Sequence, residues 1–252
     1  MMNDKDELKN STLAFGYIGE YAGSSRFSAV LNKKFKANSK DAMIIPMNIR
    51  EDDLFFTLSN MKQSKLDGAV ISNEYVAEVV ELLDEAPSMV KRSGMCDIIF
   101  KNGEKFRGDI FCTRVLTEYL KDIYASKIAI IGTNHHAKAF SFLACGFDVS
   151  YFNENLEELL EFTQEVELHH PDLNRIALDM KIDFSSFDAV LNFSEMESLG
   201  MVTKLAEFNF DMKNEKQFSA LKKCSDELHS NYTSYDDLLE KMCDRAYTAI
   251  IK

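Results

Sequence analysis

Apolar and polar residues alternate along this chain in two periods, and the switch between them sets out its elements. Short apolar runs with β-branched or aromatic residues predict strands at Leu13 to Ile18, Ala42 to Met47, Leu66 to Ile71, Phe187 to Asn192 and Leu205 to Phe210. Helical spacing predicts helices from Ser28 to Phe35, from the acidic turn Arg50-Glu51-Asp52-Asp53 to Gln63, and from Asn73 to Leu83. Further helices are predicted at Thr113 to Tyr124, Leu156 to Glu167, Lys216 to Leu228 and Asp236 to Ile251. Asn102-Gly103, between Asp97 to Phe100 and Lys105 to Phe111, is the strongest hairpin signal. The chain is organised around Lys127 to Asn155. There a buried-strand run (Ile128 to Ile131) meets Gly132, then a turn, then a helix through Ala144. Cys145-Gly146 ends that helix before a second strand, Asp148 to Phe152. A strand, glycine turn, helix and strand within about thirty residues form a βαβ unit, the usual opening of a dinucleotide-binding domain.

Composition narrows the function classes. At 252 residues the chain can hold one large or two ordinary α/β domains. No apolar run approaches the roughly 20 residues that cross a bilayer, and the polar stretch MMNDKDELKNST reads as a disordered lead-in rather than a signal peptide. The five cysteines (Cys96, Cys112, Cys145, Cys224, Cys243) are scattered without CxxC pairing, as expected for reduced thiols in a cytoplasm. A net charge of −12 argues against nucleic-acid or anionic-membrane partners. No third ligand is spaced to make a metal site of His169-His170.

In their order and spacing the pieces resemble the shikimate dehydrogenase family. The opening Gly-x-x-x-x-x-Ser…Asn pattern is legible as Gly19, Ser25 and Asn32. Glu81-Leu82-Leu83-Asp84-Glu85 and then Arg92-Ser93-Gly94 fall where the family has a leucine-rich helix and turn. Arg107-Gly108 sits upstream of the catalytic-Asp motif, and Phe187 to Asn192 looks like the second Rossmann-half strand. The resemblance implies an α/β fold with an N-terminal substrate-type domain, a Rossmann-like domain and a C-terminal helix that packs back on the first. The expected boundaries are a lead-in at 1–12, domains at 13–122 and 123–235, and the returning helix at 236–252.

It also implies where the catalytic and binding residues should lie, and there the chain departs. The family's lysine position is Val76, or Glu74 if a gap moves by two, and the partner aspartate position is Cys112. Hydride transfer from a secondary alcohol needs a group that takes the hydroxyl proton and stabilises charge on oxygen. Val76 and Cys112 supply neither a cation nor a carboxylate, so no catalytic residue is assigned. Tyr75 and Glu74 are near enough in sequence to be considered as substitutes. Substrate-binding candidates are Ser25, Asn32 and Asp97, with Phe27 in place of the family's second serine.

At the nucleotide loop the candidates are Gly132, Thr133, Asn134, Ala137 and Glu154. Gly132 keeps the turn and Ala137 allows close helix packing, but Asn134 replaces the glycine that admits a pyrophosphate. Glu154 would repel a 2′-phosphate yet could hold a ribose diol, which disfavours NADP and leaves NAD or no nucleotide. His135-His136 either meets a phosphate or is merely solvated. Cys112 reads more simply as a small buried apolar residue than as a nucleophile. The expectation is therefore a non-catalytic homologue that binds a small molecule or a protein partner in an interdomain cleft. The alternative is an NAD-dependent oxidoreductase with a different hydroxy-acid or polyol substrate.

Overall fold

The computed structural model describes residues 12–177, 179–214 and 217–252. The expected lead-in, through residue 11, and residue 216 of the predicted Lys216 to Leu228 helix lie outside these. The chain forms two compact units. The first comprises residues through Pro87, Cys96–Phe111 and Glu240–Lys252; the second comprises Ser88–Met95 and Cys112–Leu239.

The first unit is built on strands β1 (Leu13–Gly19), β2 (Ala42–Asn48), β3 (Gly68–Ile71), β4 (Ile98–Asn102) and β5 (Lys105–Asp109). Their spatial order is β2-β1-β3-β4-β5, with β1 parallel to β2 and β3, and the β4–β5 hairpin antiparallel. Helices α1 (Phe27–Ala37) and α2 (Glu51–Met61) cross between the parallel strands. Each buries one apolar stripe, Phe27, Leu31 and Phe35 on α1 and Leu54, Leu58 and Met61 on α2. The predicted Asn73 to Leu83 helix is instead two short 3-10 turns, Asn73–Tyr75 and Glu78–Leu82. The Val76 carbonyl, which an α-helix would use internally, accepts a 2.7 Å hydrogen bond from the Cys96 amide. That tertiary bond outcompetes the helical pattern.

The second unit carries α3 (Ser88–Ser93), α4 (Cys112–Asp122), β6 (Lys127–Ile131), α5 (His135–Leu143), β7 (Asp148–Asn153) and α6 (Leu156–Glu165). Strands β8 (Asp172–Arg175), β9 (Ile182–Asp183), β10 (Ala189–Asn192), β11 (Val202–Lys204) and β12 (Phe208–Asp211) follow, then α7 (Ala220–Leu228). The main sheet is parallel with order β12-β10-β6-β7-β8, and β9 pairs with β11 in a small parallel ribbon. The order reverses at β6, so the switch point lies between β6 and β10, where α/β sheets present their ligand crevice. One face of the sheet buries Ala129, Ile131, Phe152, Val190, Phe184 and Leu221 in a continuous core.

The predicted strand Leu205 to Phe210 starts later, at Phe208. The Asn209 side chain folds back on the preceding turn, accepting from the Ala206 amide and donating to its carbonyl at 2.8 Å. Strand β8 was hidden because its residues, Asp-Leu-Asn-Arg, lack an apolar pattern. The last helix, α8 (Leu239–Ile251), returns to the first unit. Lys34 pairs with Asp244, the Phe35 and Tyr247 rings lie 5.6 Å apart, and the Cys243 thiol donates to the Phe27 carbonyl.

Candidate functional site

In the second unit the crevice begins at Gly132, the residue after β6. Its φ of +99° is open to glycine, and a Cβ there would lie 2.7 Å from the Ser194 amide and 2.8 Å from the Phe193 carbonyl group. Gly132 thus makes the left-handed turn and also lets the end of β10 approach. Asn134 is extended (φ −69°), so the left-handed conformation that an asparagine tolerates is not used here. Its carboxamide oxygen caps α5, accepting from the His136 amide at 2.9 Å and the Ala137 amide at 3.2 Å. Ala137 is fully buried and lets α5 lie close to the sheet, while Thr133 is half-buried.

The two α5 amides that a pyrophosphate would seek are therefore already satisfied by the chain itself. A phosphate arriving there must displace the Asn134 cap. The loop as it stands does not fit a pyrophosphate on the α5 N-terminus.

Of the two histidines beside this loop, His136 is buried and His135 half-buried. His136 is only 4% exposed, neither ring nitrogen has a partner, and burial holds its pKa well below the ordinary histidine value. Its ring lies 4.5 Å from His135 and 5.9 Å from Phe193. Burial also lowers the His135 pKa, against the pull of Glu195. Both imidazoles are neutral at pH 7. Glu195 in turn pairs with Lys213 at 2.9 Å.

At the end of β7, Asn153 is buried and donates to Glu158, and Asn155 caps α6 through the Glu157 amide. Glu154 between them is exposed. Arg175 on β8 stands in register with Asn153 and is also exposed. Asp211 at the end of β12 escaped the sequence reading. It is buried, accepts from the Ser219 and Tyr232 hydroxyls and the Lys213 amide, and has its pKa raised by burial. Its only sequence signal was an aspartate closing an aromatic strand.

In the first unit the candidates are occupied. The Asn32 amide donates to the Ile44 carbonyl at 2.8 Å and accepts from the Ile44 amide at 2.9 Å, stitching α1 to β2. The Ser25 hydroxyl accepts from the Phe27 amide. Asp97 is fully buried and takes the Phe111 amide at 2.7 Å. The Phe27 ring stacks on Tyr17 at 4.8 Å and lies 6.4 Å from Phe111, so Phe27 belongs to an aromatic core.

The residues around Val76 are equally committed. Val76 is 2% exposed. Tyr75 donates to the Ile49 carbonyl at 2.8 Å, and burial followed by the neighbouring Glu74 pushes its pKa up to about 12. Glu74 accepts from the Glu20 amide and the Ser72 hydroxyl. In the second unit Cys112, 6% exposed, opens α4 and lies 3.9 Å from the Tyr235 hydroxyl. Among the described residues no group of three or more His, Cys, Asp or Glu side chains could hold a metal ion, and no helix is long and apolar enough to cross a membrane.

No family model matches the chain. It is 22% identical over 182 residues to the NADP(+) shikimate dehydrogenase of Halothermothrix orenii, covering 69% of this chain and 63% of that one. A match of 23% over 159 residues to the Dictyoglomus turgidum enzyme of the same name covers 61% and 58%. A shikimate dehydrogenase crystallised with NADP+ superposes with a TM-score of 0.75, at 17% identity over 96% of this chain and 91% of that one. The chain is similar in sequence to shikimate dehydrogenases over part of its length and shares their fold over nearly all of it. The sequence matches span less than two thirds of the curated shikimate dehydrogenases, whereas the fold of the family covers nearly the whole chain. Within that family's architecture, the described candidates are mostly bonded to their own backbone.

Proposed function

We propose that this chain is a shikimate dehydrogenase-family protein that has lost the Lys/Asp pair and acts by binding rather than by hydride transfer. The observation that carries this reading is the commitment of every stand-in for the lysine. Val76 is apolar and buried, Glu74 is tied to an amide and a hydroxyl, and Tyr75 is held protonated with its proton on a carbonyl. A phenol with a pKa near 12 gives up its proton too reluctantly to serve as a general base at pH 7. The Ser25, Asn32 and Asp97 side chains are bonded to the backbone, which argues against shikimate itself as the ligand.

One feature favours a second reading, a nicotinamide nucleotide bound by an NAD-dependent oxidoreductase acting on another hydroxy acid or polyol. The relatives are named for NADP+, which supports a nicotinamide nucleotide as the ligand class. Glu154 projects from the end of β7, where a carboxylate holds a ribose diol, and we assign NAD rather than NADP to that arrangement. Arg175, in register with the preceding Asn153, is the cation a 2′-phosphate would need, so both nucleotides belong in the test.

Calorimetric titration with NAD, NADP and shikimate separately decides between these readings. Silence with all three is expected of a binding protein directed at another partner. Saturable NAD binding abolished by Glu154→Gln would overturn that in favour of the oxidoreductase. Saturable shikimate binding would show that the Ser25 and Asn32 side chains are freed in solution.

A further inference from the structure

We propose that the second unit carries a separate binding site for an organic cation, an alkylammonium or guanidinium group, at the amino ends of its strands. A cavity of about 450 Å³ opens there, at the opposite end of the sheet from Gly132. Its walls include Tyr119, Tyr124 and Phe208, with Asp188 and Glu207 at the starts of β10 and β12. Among the described residues no lysine, arginine or histidine lines it.

Aromatic faces beside a carboxylate are the chemistry that recognises organic cations; Lys127 already acts electrostatically on Asp188, which leaves Glu207 as the carboxylate that meets the ligand. The Tyr119 and Phe208 rings lie 5.2 Å apart and form one wall. Asp188 is fixed by the Ser126 amide, the Ser126 hydroxyl and the Lys127 amide, at 2.8 to 2.9 Å. The exposed Glu207 carboxylate pairs with no cation among the described residues. The net charge of −12 concentrates cations around the whole molecule and adds to the local pull.

Tyr124 adds a further aromatic face to the cavity. Helix α4 ends with the Tyr124 amide on the Lys121 carbonyl and the Ala125 amide on the Leu120 carbonyl. That bonding places Tyr124 at the left-handed position that usually belongs to glycine, and its φ is +59°. A bulky aromatic residue there is strained, and this one is 92% exposed, so no packing offsets the strain. Its place is the rim of the cavity, where the exposed ring can cover an entering cation. The site is independent of whether the nucleotide loop or the first unit turns over any substrate.

The test is calorimetric titration of the full chain with choline, with its uncharged isostere dimethylbutanol, and with N-acetylarginine amide. Saturable binding of a cationic probe but not of dimethylbutanol is expected. Glu207→Gln and Tyr124→Gly should each weaken it by about three- to tenfold. Choline binding identifies a small free amine as the ligand. Binding of the arginine amide alone identifies a partner's guanidinium group. Tyr124→Gly should also raise the melting temperature by about 2 °C, because glycine suits the left-handed position, so its loss of binding cannot be a loss of fold. No saturable binding by either cation, equal binding of dimethylbutanol, or binding indifferent to both substitutions overturns the proposal.

Discussion

Asn134 decides how the nucleotide loop should be understood, and substituting it separates a helix cap from a pyrophosphate site. Its carboxamide oxygen takes two α5 amides at 2.9 and 3.2 Å. Asn134→Ala strands both amides at the end of a helix whose first turn is largely buried. Loss of an N-cap costs about 1 kcal/mol, which in a chain of this size lowers the melting temperature by about 2–4 °C. Asn134→Asp keeps the acceptor and adds a charge favourable to the helix dipole, so at pH 7 it should match or exceed the wild type. Asn134→Gly should cost only a few tenths of a kcal/mol and leaves both amides open to an anion. Thermal melts of the three variants, each followed by titration with NAD, form the assay. Wild-type stability in Asn134→Ala, or clear destabilisation in Asn134→Asp, would refute the capping role. NAD bound by wild type more tightly than by Asn134→Gly would refute the claim that the cap obstructs a pyrophosphate.

Further expectations follow from the same geometry. Gly132→Ala forces a Cβ to within 2.7 Å of the Ser194 amide at a φ of +99°, and should cost about 3 kcal/mol or more in urea denaturation. His136 is buried neutral, so the unfolded chain binds the proton that the folded chain refuses. Its contribution is fully present above pH 6.5 and is lost as pH falls below it, at up to about 1.4 kcal/mol per pH unit. His136→Phe should flatten that slope between pH 6.5 and 5, leaving the smaller share that His135 contributes in the same direction. Val76→Lys places an ammonium at a position 2% exposed and should destabilise the chain by about 3 kcal/mol or more without yielding shikimate oxidation. Recovered activity in the Val76→Lys, Cys112→Asp pair would show instead that an intact pocket survives around them.

The sequence made the architecture legible wherever a pattern had a local cause. The βαβ unit was readable because Gly132, the Asn134 turn and two apolar strands are each specified within a few residues. The α8 return followed from order along the family-like chain. What escaped was set by tertiary partners. The Val76 carbonyl goes to Cys96 and breaks a helix, the Asn209 side chain delays β12, and β8 has no apolar signature because it forms a polar sheet edge. At the site, residue identities could be read but their commitments could not. Asn32 looked like a ligand residue until its two bonds to Ile44 were seen, and His136 looked solvated until its burial was.

The central claim is loss of hydride-transfer chemistry, and one measurement meets it directly. Purified chain is incubated with shikimate and an excess of either NAD or NADP, and reduced nicotinamide is followed spectroscopically across neutral to alkaline pH. A chain with Val76 and Cys112 in place of the Lys/Asp pair forms no reduced nicotinamide above the protein-free control. Saturable turnover with either nucleotide, retained after Cys112→Ala, would contradict the claim and show that another group has taken over the proton.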